Sequence, residues 1–125
     1  MHNFRNLLIW QKARILVKNS YILTENFPKK EFWSLTNQIR RAAVSIPSNI
    51  AEGSGKSSNK DFSRFLEISI SSCFELETQF ILSYDLGYIS ETILNEICSL
   101  LLEEQKMIFA FKQSLEHRQK YKTNK

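Results

Sequence analysis

The chain has 125 residues and a net charge of +4, a length that suits one domain with a sizeable core. Three glycines and two prolines are too few turn residues for a sheet of many hairpins, so long helices follow. No apolar run approaches the roughly 18 residues of a membrane-spanning helix, and MHNFRNLLIW lacks the apolar core and cleavage site of a secretory signal.

In chain order, hydrophobic periodicity predicts four amphipathic helices, at about 7–26, 31–53, 59–86 and 90–118, with a frayed basic tail at 119–125. The first has a core stripe of Ile9, Ala13, Leu16, Ser20, Leu23 and Phe27, and stops near Pro28, which cannot continue a helix. The second places Leu35, Ile39, Ala43, Ile46 and Ile50 on one face. Pro47 lies inside it and costs roughly 3 kcal/mol through a lost N–H and a crowded carbonyl at Ala43. Because the apolar face stays in phase across Pro47, a kink is expected rather than a break. Ser58-x-x-Asp61 resembles a capping box that opens the third helix, Gly87 suits a left-handed cap at its end, and Ser90 can cap the fourth. No strand pattern and no second domain emerge. The fold expected is all-α, an antiparallel up-down four-helix bundle.

Several helices carry more apolar surface than a lone bundle needs. At about 100° per residue, Trp10, Val17 and Tyr21 form a second stripe on helix 1, and Trp33, Val44 and Ala51 one on helix 2. Helix 3 adds Ile70, Phe74 and Ile81 beside its core arc. Burial between copies of the chain explains this surplus better than tight packing within one bundle.

Chemistry is sparse. NIAEGSGKSS resembles the end of a phosphate-binding loop, yet the first glycine of that motif would fall on Ile50, and a helix rather than a strand precedes it. A turn between helices is the simpler reading. His2 and His117 lie near the ends of the chain and form no Glu-x-x-His pair of the kind used by ferritin-like metal sites. Glu75, Glu77, Glu103 and Glu104 can cluster, but without histidine they read as solvated or ion-paired. Cys73 and Cys98 have no CxxC spacing and no basic neighbour, and read as small buried hydrophobes in a reducing cytoplasm. No G-x-S-x-G elbow occurs. Neither an enzyme nor a cofactor is expected.

Three stretches together are distinctive: LLIWQKA (Leu7–Ala13), NQIRRAAVSIPSNIAEG (Asn37–Gly53) and FLEISISSCFELETQF (Phe65–Phe80). Through them the chain resembles the four-helix-bundle proteins encoded by intervening sequences within bacterial 23S ribosomal RNA genes. One departure is Ser71, where relatives often carry Gly before the serine matched by Ser72, a change expected to loosen a close helix contact. The resemblance implies an antiparallel up-down bundle that assembles as a ring-shaped homopentamer. A related group, the accessory proteins of diversity-generating retroelements, forms basic pentamers that bind nucleic acid and a reverse transcriptase. A shared fold does not carry that activity over.

Charge is segregated along the chain. Residues 1–54 hold eight Lys/Arg against three Asp/Glu, and residues 55–107 hold four against nine. Two functions are compatible with this. In the first, an oligomer binds RNA through phosphate contacts from Arg14, Lys18, Arg41, Lys56, Lys60 and Arg64, with Trp10, Val17, Tyr21, Ile70, Phe74 and Ile81 buried between subunits. In the second, the protein is an interaction scaffold whose charges solubilise it or pair, Arg64 with Glu67 and Arg41 with a carboxylate of helix 3. No aromatic-interleaved motif of an RNA-recognition module is present, which argues against sequence-specific reading.

Overall fold

The computed structural model describes residues 2–123 and consists of four helices with no strand among them: α1 Leu8–Thr24, α2 Leu35–Ser54, α3 Asn59–Asp85 and α4 Glu91–Thr123. Consecutive helices pack side by side, α4 closes against α1, and among the described residues the backbones of neither diagonal pair come as close. The α1–α2 side therefore lies opposite the α3–α4 side. The core runs along the centre through Ala13, Leu16, Ile39, Ile46, Leu66, Leu76, Phe80, Leu101 and Ile108. It is built from the i, i+3/i+4 stripes that the sequence displays.

Local signals set most helix ends. Ser58 accepts the backbone N–H of Asp61 at 3.1 Å, and the hydroxyl of Ser90 accepts that of Ile93 at 3.2 Å, so two helix starts are capped as expected. Gly87 takes φ 80°, the left-handed conformation that ends α3 and lets Tyr88 N–H reach the Ser83 carbonyl at 2.9 Å. The entry to α2 differs from expectation. After Pro28 the chain makes a single 3-10 turn (Lys29–Glu31), Ser34 departs from helical geometry at φ −123° and ψ −101°, and α2 begins only at Leu35. Trp33 therefore precedes α2 and is not part of its second stripe; it stands 83% exposed, edge-on to Phe32. At the other end of the chain α4 extends past residue 118 to Thr123.

The α2–α3 seam is the most extensive, and its sequence explains why. A Cβ on Gly53 would fall 2.7 Å from Cβ of Phe65 and 2.8 Å from Cδ1 of Phe62, so only glycine permits this approach. Earlier in the same helix, α2 runs unbroken through Pro47. The Ser69 hydroxyl crosses from α3 to donate to the Ile46 carbonyl at 2.9 Å. The hydroxyls of Ser45 and Ser72 share a hydrogen bond at 2.8 Å, and the Asn49 amide donates to Ser45 Oγ at 2.9 Å. The SIPSN segment thus makes a polar latch between two apolar helices, with its hydroxyls at the seam satisfied. Ser71 is exposed, so the departure there loosens no helix contact.

Candidate functional site

A groove of about 530 Å³ runs between α1 and α2. Trp10, Val17 and Tyr21 supply one wall, and Val44, Pro47, Ser48 and Ala51 the other. Phe4, in a 3-10 turn before α1, closes one end and packs edge-on against Trp10 at 5.0 Å. Two sequence stripes proposed for self-association, one from each helix, therefore meet along a single apolar floor.

The basic residues assigned to nucleic acid are not separate from it. Arg14 and Lys18 line the same groove, the Arg14 guanidinium sitting 5.1 Å from the centre of the Trp10 ring. Arg41 borders its continuation beyond Tyr21 and Val44, beside Arg40. Arg40 is fixed in place: it donates to Thr24 Oγ1 at 2.9 Å, reaches Glu25 at 3.5 Å and stacks 4.6 Å from the Tyr21 ring centre. Arg14, Lys18 and Arg41 make no ion pair among the described residues, and all three are exposed. The pairing of Arg41 with a helix 3 carboxylate does not occur among them.

The other three candidates sit apart, at the α2–α3 turn. Lys60 is exposed, Lys56 lies over the Phe65 ring at 5.0 Å, and Arg64 pairs with Asp61 at 3.6 Å rather than with Glu67. GSGKSS closes α2 with right-handed backbone, Gly55 at φ −84°, and Lys56 N–H bonds the Gly53 carbonyl at 3.0 Å. With no preceding strand, the phosphate-loop architecture is not formed.

The remaining apolar stripe, Ile70, Phe74 and Ile81, lies on the α4-facing flank of α3. Two contacts fix this orientation, since Ser63 and Glu77 lie on the same flank. Ser63 donates to Glu116 at 2.8 Å, and Glu77 accepts from Gln105 at 3.4 Å, both across to α4. Phe74 is 56% exposed and Ile81 42%. Leu102 and Phe109 of α4, also about half exposed, continue the same surface.

Glu104 is the residue that the sequence reading misplaces. It is neither solvated nor paired: it is fully buried, and both carboxylate oxygens lack a partner. Burial pushes its pKa up from 4.5 to about 8; Lys12 opposes the rise and Glu103 adds to it. Its spacing with Ile97, Leu101 and Ile108 on the core face of α4 is the signal that locates it. Glu103, next to it, takes the ordinary course and pairs with Lys12 across the α1–α4 seam. No group of three or more His, Cys, Asp or Glu gathers at metal-binding range among the described residues. Burial, with help from Glu104 and Glu77, pushes the Cys73 thiol up to about 12, and burial also raises Cys98. Neither thiol is a ready nucleophile near neutral pH. His2 packs between Phe62 and Phe111, and burial, then the amino terminus and Arg118, hold its pKa below the usual value.

Among the described residues no helix is long and apolar enough to cross a membrane. A comparison with curated proteins finds no match. A solved structure of a protein of unknown function from the S23 ribosomal protein family of Bacteroides thetaiotaomicron matches with a TM-score of 0.74 at 23% identity. The match covers 84% of this chain and 98% of that one, and at this identity it speaks for the fold. The family model for the 23S rRNA-intervening sequence protein matches residues 5–110, which include the Gly53 contact, the SIPSN latch and nearly all of the α1–α2 groove. This chain belongs to the 23S rRNA-intervening sequence protein family.

Proposed function

We propose that the protein is a non-enzymatic oligomer that binds RNA through its phosphates, with little preference for sequence. One observation carries the reading: Arg14, Lys18 and Arg41 are exposed cations without ion pairs among the described residues, gathered along one side of the bundle. Exposed cations of this kind attract a polyanion by releasing its counterions and read no base edges. Closed assembly, the ring-shaped homopentamer that the family resemblance implies, would repeat each weak patch and raise avidity without new chemistry. The link to accessory proteins of diversity-generating retroelements belongs to the same proposal.

The test is fluorescence anisotropy of an unstructured RNA against assembled protein. Affinity should fall steeply between about 50 and 200 mM salt and vary little among sequences. Assembled protein that leaves RNA unbound even at low salt would favour the interaction scaffold, in which the same cations serve a protein partner.

A further inference from the structure

We infer that the loop between α1 and α2 stacks an unpaired base of the bound RNA on Trp33, so that the protein selects single strands over duplexes. This rests on the proposed function and names the class of RNA that it takes. After Pro28 the chain reads Lys29-Lys30-Glu31-Phe32-Trp33, and its 3-10 turn leads two aromatic rings out of the bundle. Trp33, 83% exposed, is the most exposed large apolar side chain among the described residues, and Phe32 is 49% exposed. The two rings meet edge to face, with centres 4.8 Å apart and planes at 89°. Phe32 thus braces the indole and leaves most of it in water. A lone exposed apolar side chain is ordinary. A braced aromatic pair beside free cations is what a base-stacking platform needs.

The cations are in place. Lys29 and Lys30 are exposed and make no ion pair among the described residues. The nearby carboxylates are engaged: Glu25 reaches Arg40 at 3.5 Å, and Glu31 accepts the Ser34 hydroxyl at 3.4 Å. Lys29, Phe32, Thr36 and Arg40 line a depression of about 420 Å³, and Arg40 also lines the continuation of the groove beside Arg41. Arg41 lies about 9 Å along α2 from its start at Leu35. One path therefore joins Arg14, Lys18 and Arg41 to the loop, and its cations hold phosphates while the indole takes a base. A duplex keeps its bases stacked on one another and offers Trp33 none. Stacking needs only a π-face, so it adds affinity without reading base identity. An anionic lipid surface would also suit a tryptophan beside two lysines, but the line of cations leading away along α1 and α2 fits a strand.

Anisotropy of a labelled oligouridylate, and of a blunt RNA duplex of equal length, tests this with wild type and Trp33→Leu. Leucine keeps apolar bulk and removes the π-face. The site is exposed and precedes α2, so circular dichroism and sedimentation velocity should match wild type. Affinity for the single strand should fall at least about fivefold at every salt concentration. The log–log salt slope should stay unchanged, because no phosphate contact is lost. Affinity for the duplex should not change, and Trp33→Phe should restore much of the single-strand affinity. Equal single-strand affinity in wild type and Trp33→Leu, or an equal loss on the duplex, overturns the stacking and leaves phosphate binding standing. A Trp33→Leu protein that no longer assembles overturns it too, since the indole is then held by another copy. So does one that keeps its RNA affinity and loses binding to vesicles of anionic phospholipid. Wild type that binds neither RNA overturns the proposed function, and this inference with it.

Discussion

Replacing Glu104 by glutamine should remove most of a loss of stability that the wild-type protein suffers as pH rises. The carboxyl is enclosed by the bundle, with Lys12 of α1, Cys73 of α3 and Glu103 of α4 as the titratable groups around it. Its pKa is about 8 in the folded chain against 4.5 for an unperturbed glutamate. Below pH 4.5 both states are protonated and the residue contributes no pH dependence. Between 4.5 and about 8 the folded state holds a proton that the unfolded state has released. Stability should therefore decline by up to about 1.4 kcal/mol per pH unit and level off above the folded pKa. Over the whole window the loss is of the order of 3–5 kcal/mol, a large part of a typical domain's stability. Glutamine has nearly the same shape and does not ionise. Near pH 5 the two proteins should melt within a few degrees of each other. Near pH 8.5 the variant should melt higher by about 3–5 °C for each kcal/mol recovered. Leucine should stabilise at every pH, because it also removes the unpartnered oxygens. The assay is thermal unfolding by circular dichroism from about pH 4.5 to 9, at fixed protomer concentration because assembly shifts the melting point. Parallel pH profiles for wild type and Glu104→Gln would refute the reasoning.

Gly53→Ala should destabilise the protein by about 1–3 kcal/mol in denaturant unfolding, the steric conflict with Phe65 outweighing alanine's higher helix propensity. Ser45→Ala and Ser72→Ala should each cost about 1 kcal/mol, and the double variant less than their sum, because they remove the same hydrogen bond. Lys56→Ala should change the melting temperature by little, and ATP or GTP should leave the wild-type value unmoved; a saturable shift abolished in the variant would restore nucleotide binding. Arg41→Glu with Lys60→Glu should weaken RNA binding across all sequences and flatten its salt dependence, by about one unit of log–log slope for each phosphate that is no longer neutralised.

Much of the fold was legible because its signals are local. Ser58, Ser90 and Gly87 act on backbone groups within a few residues, so sequence spacing alone locates three helix ends. The start of α2 was harder to read. Pro28 permits either a helix or a tight turn, and the 3-10 turn that follows carries Trp33 away from the apolar face that its spacing suggests. Gly53 looked like a helix end, and its close approach to Phe65 depends on where α3 lies. Glu104 was missed because carboxylates are normally left in water, an assumption that outweighed the periodicity placing it in the core. The groove shows the same limit between helices. Spacing puts Arg14 and Lys18 on the face of α1 opposite Leu16, which reads as outward; only the position of α2 makes that face the edge of a groove. Separate assignments to RNA and to the subunit interface therefore overlap at these two residues.

The central claim is that an assembled form of this chain carries RNA by charge, and sedimentation velocity of wild-type protein with fluorescent RNA tests it most directly. At low salt the RNA should travel with a species several times heavier than the 14.7 kDa chain, and at high salt the RNA should be released while the protein stays assembled. RNA that sediments free at low salt beside assembled protein, or a protein that is monomeric throughout, would contradict the account.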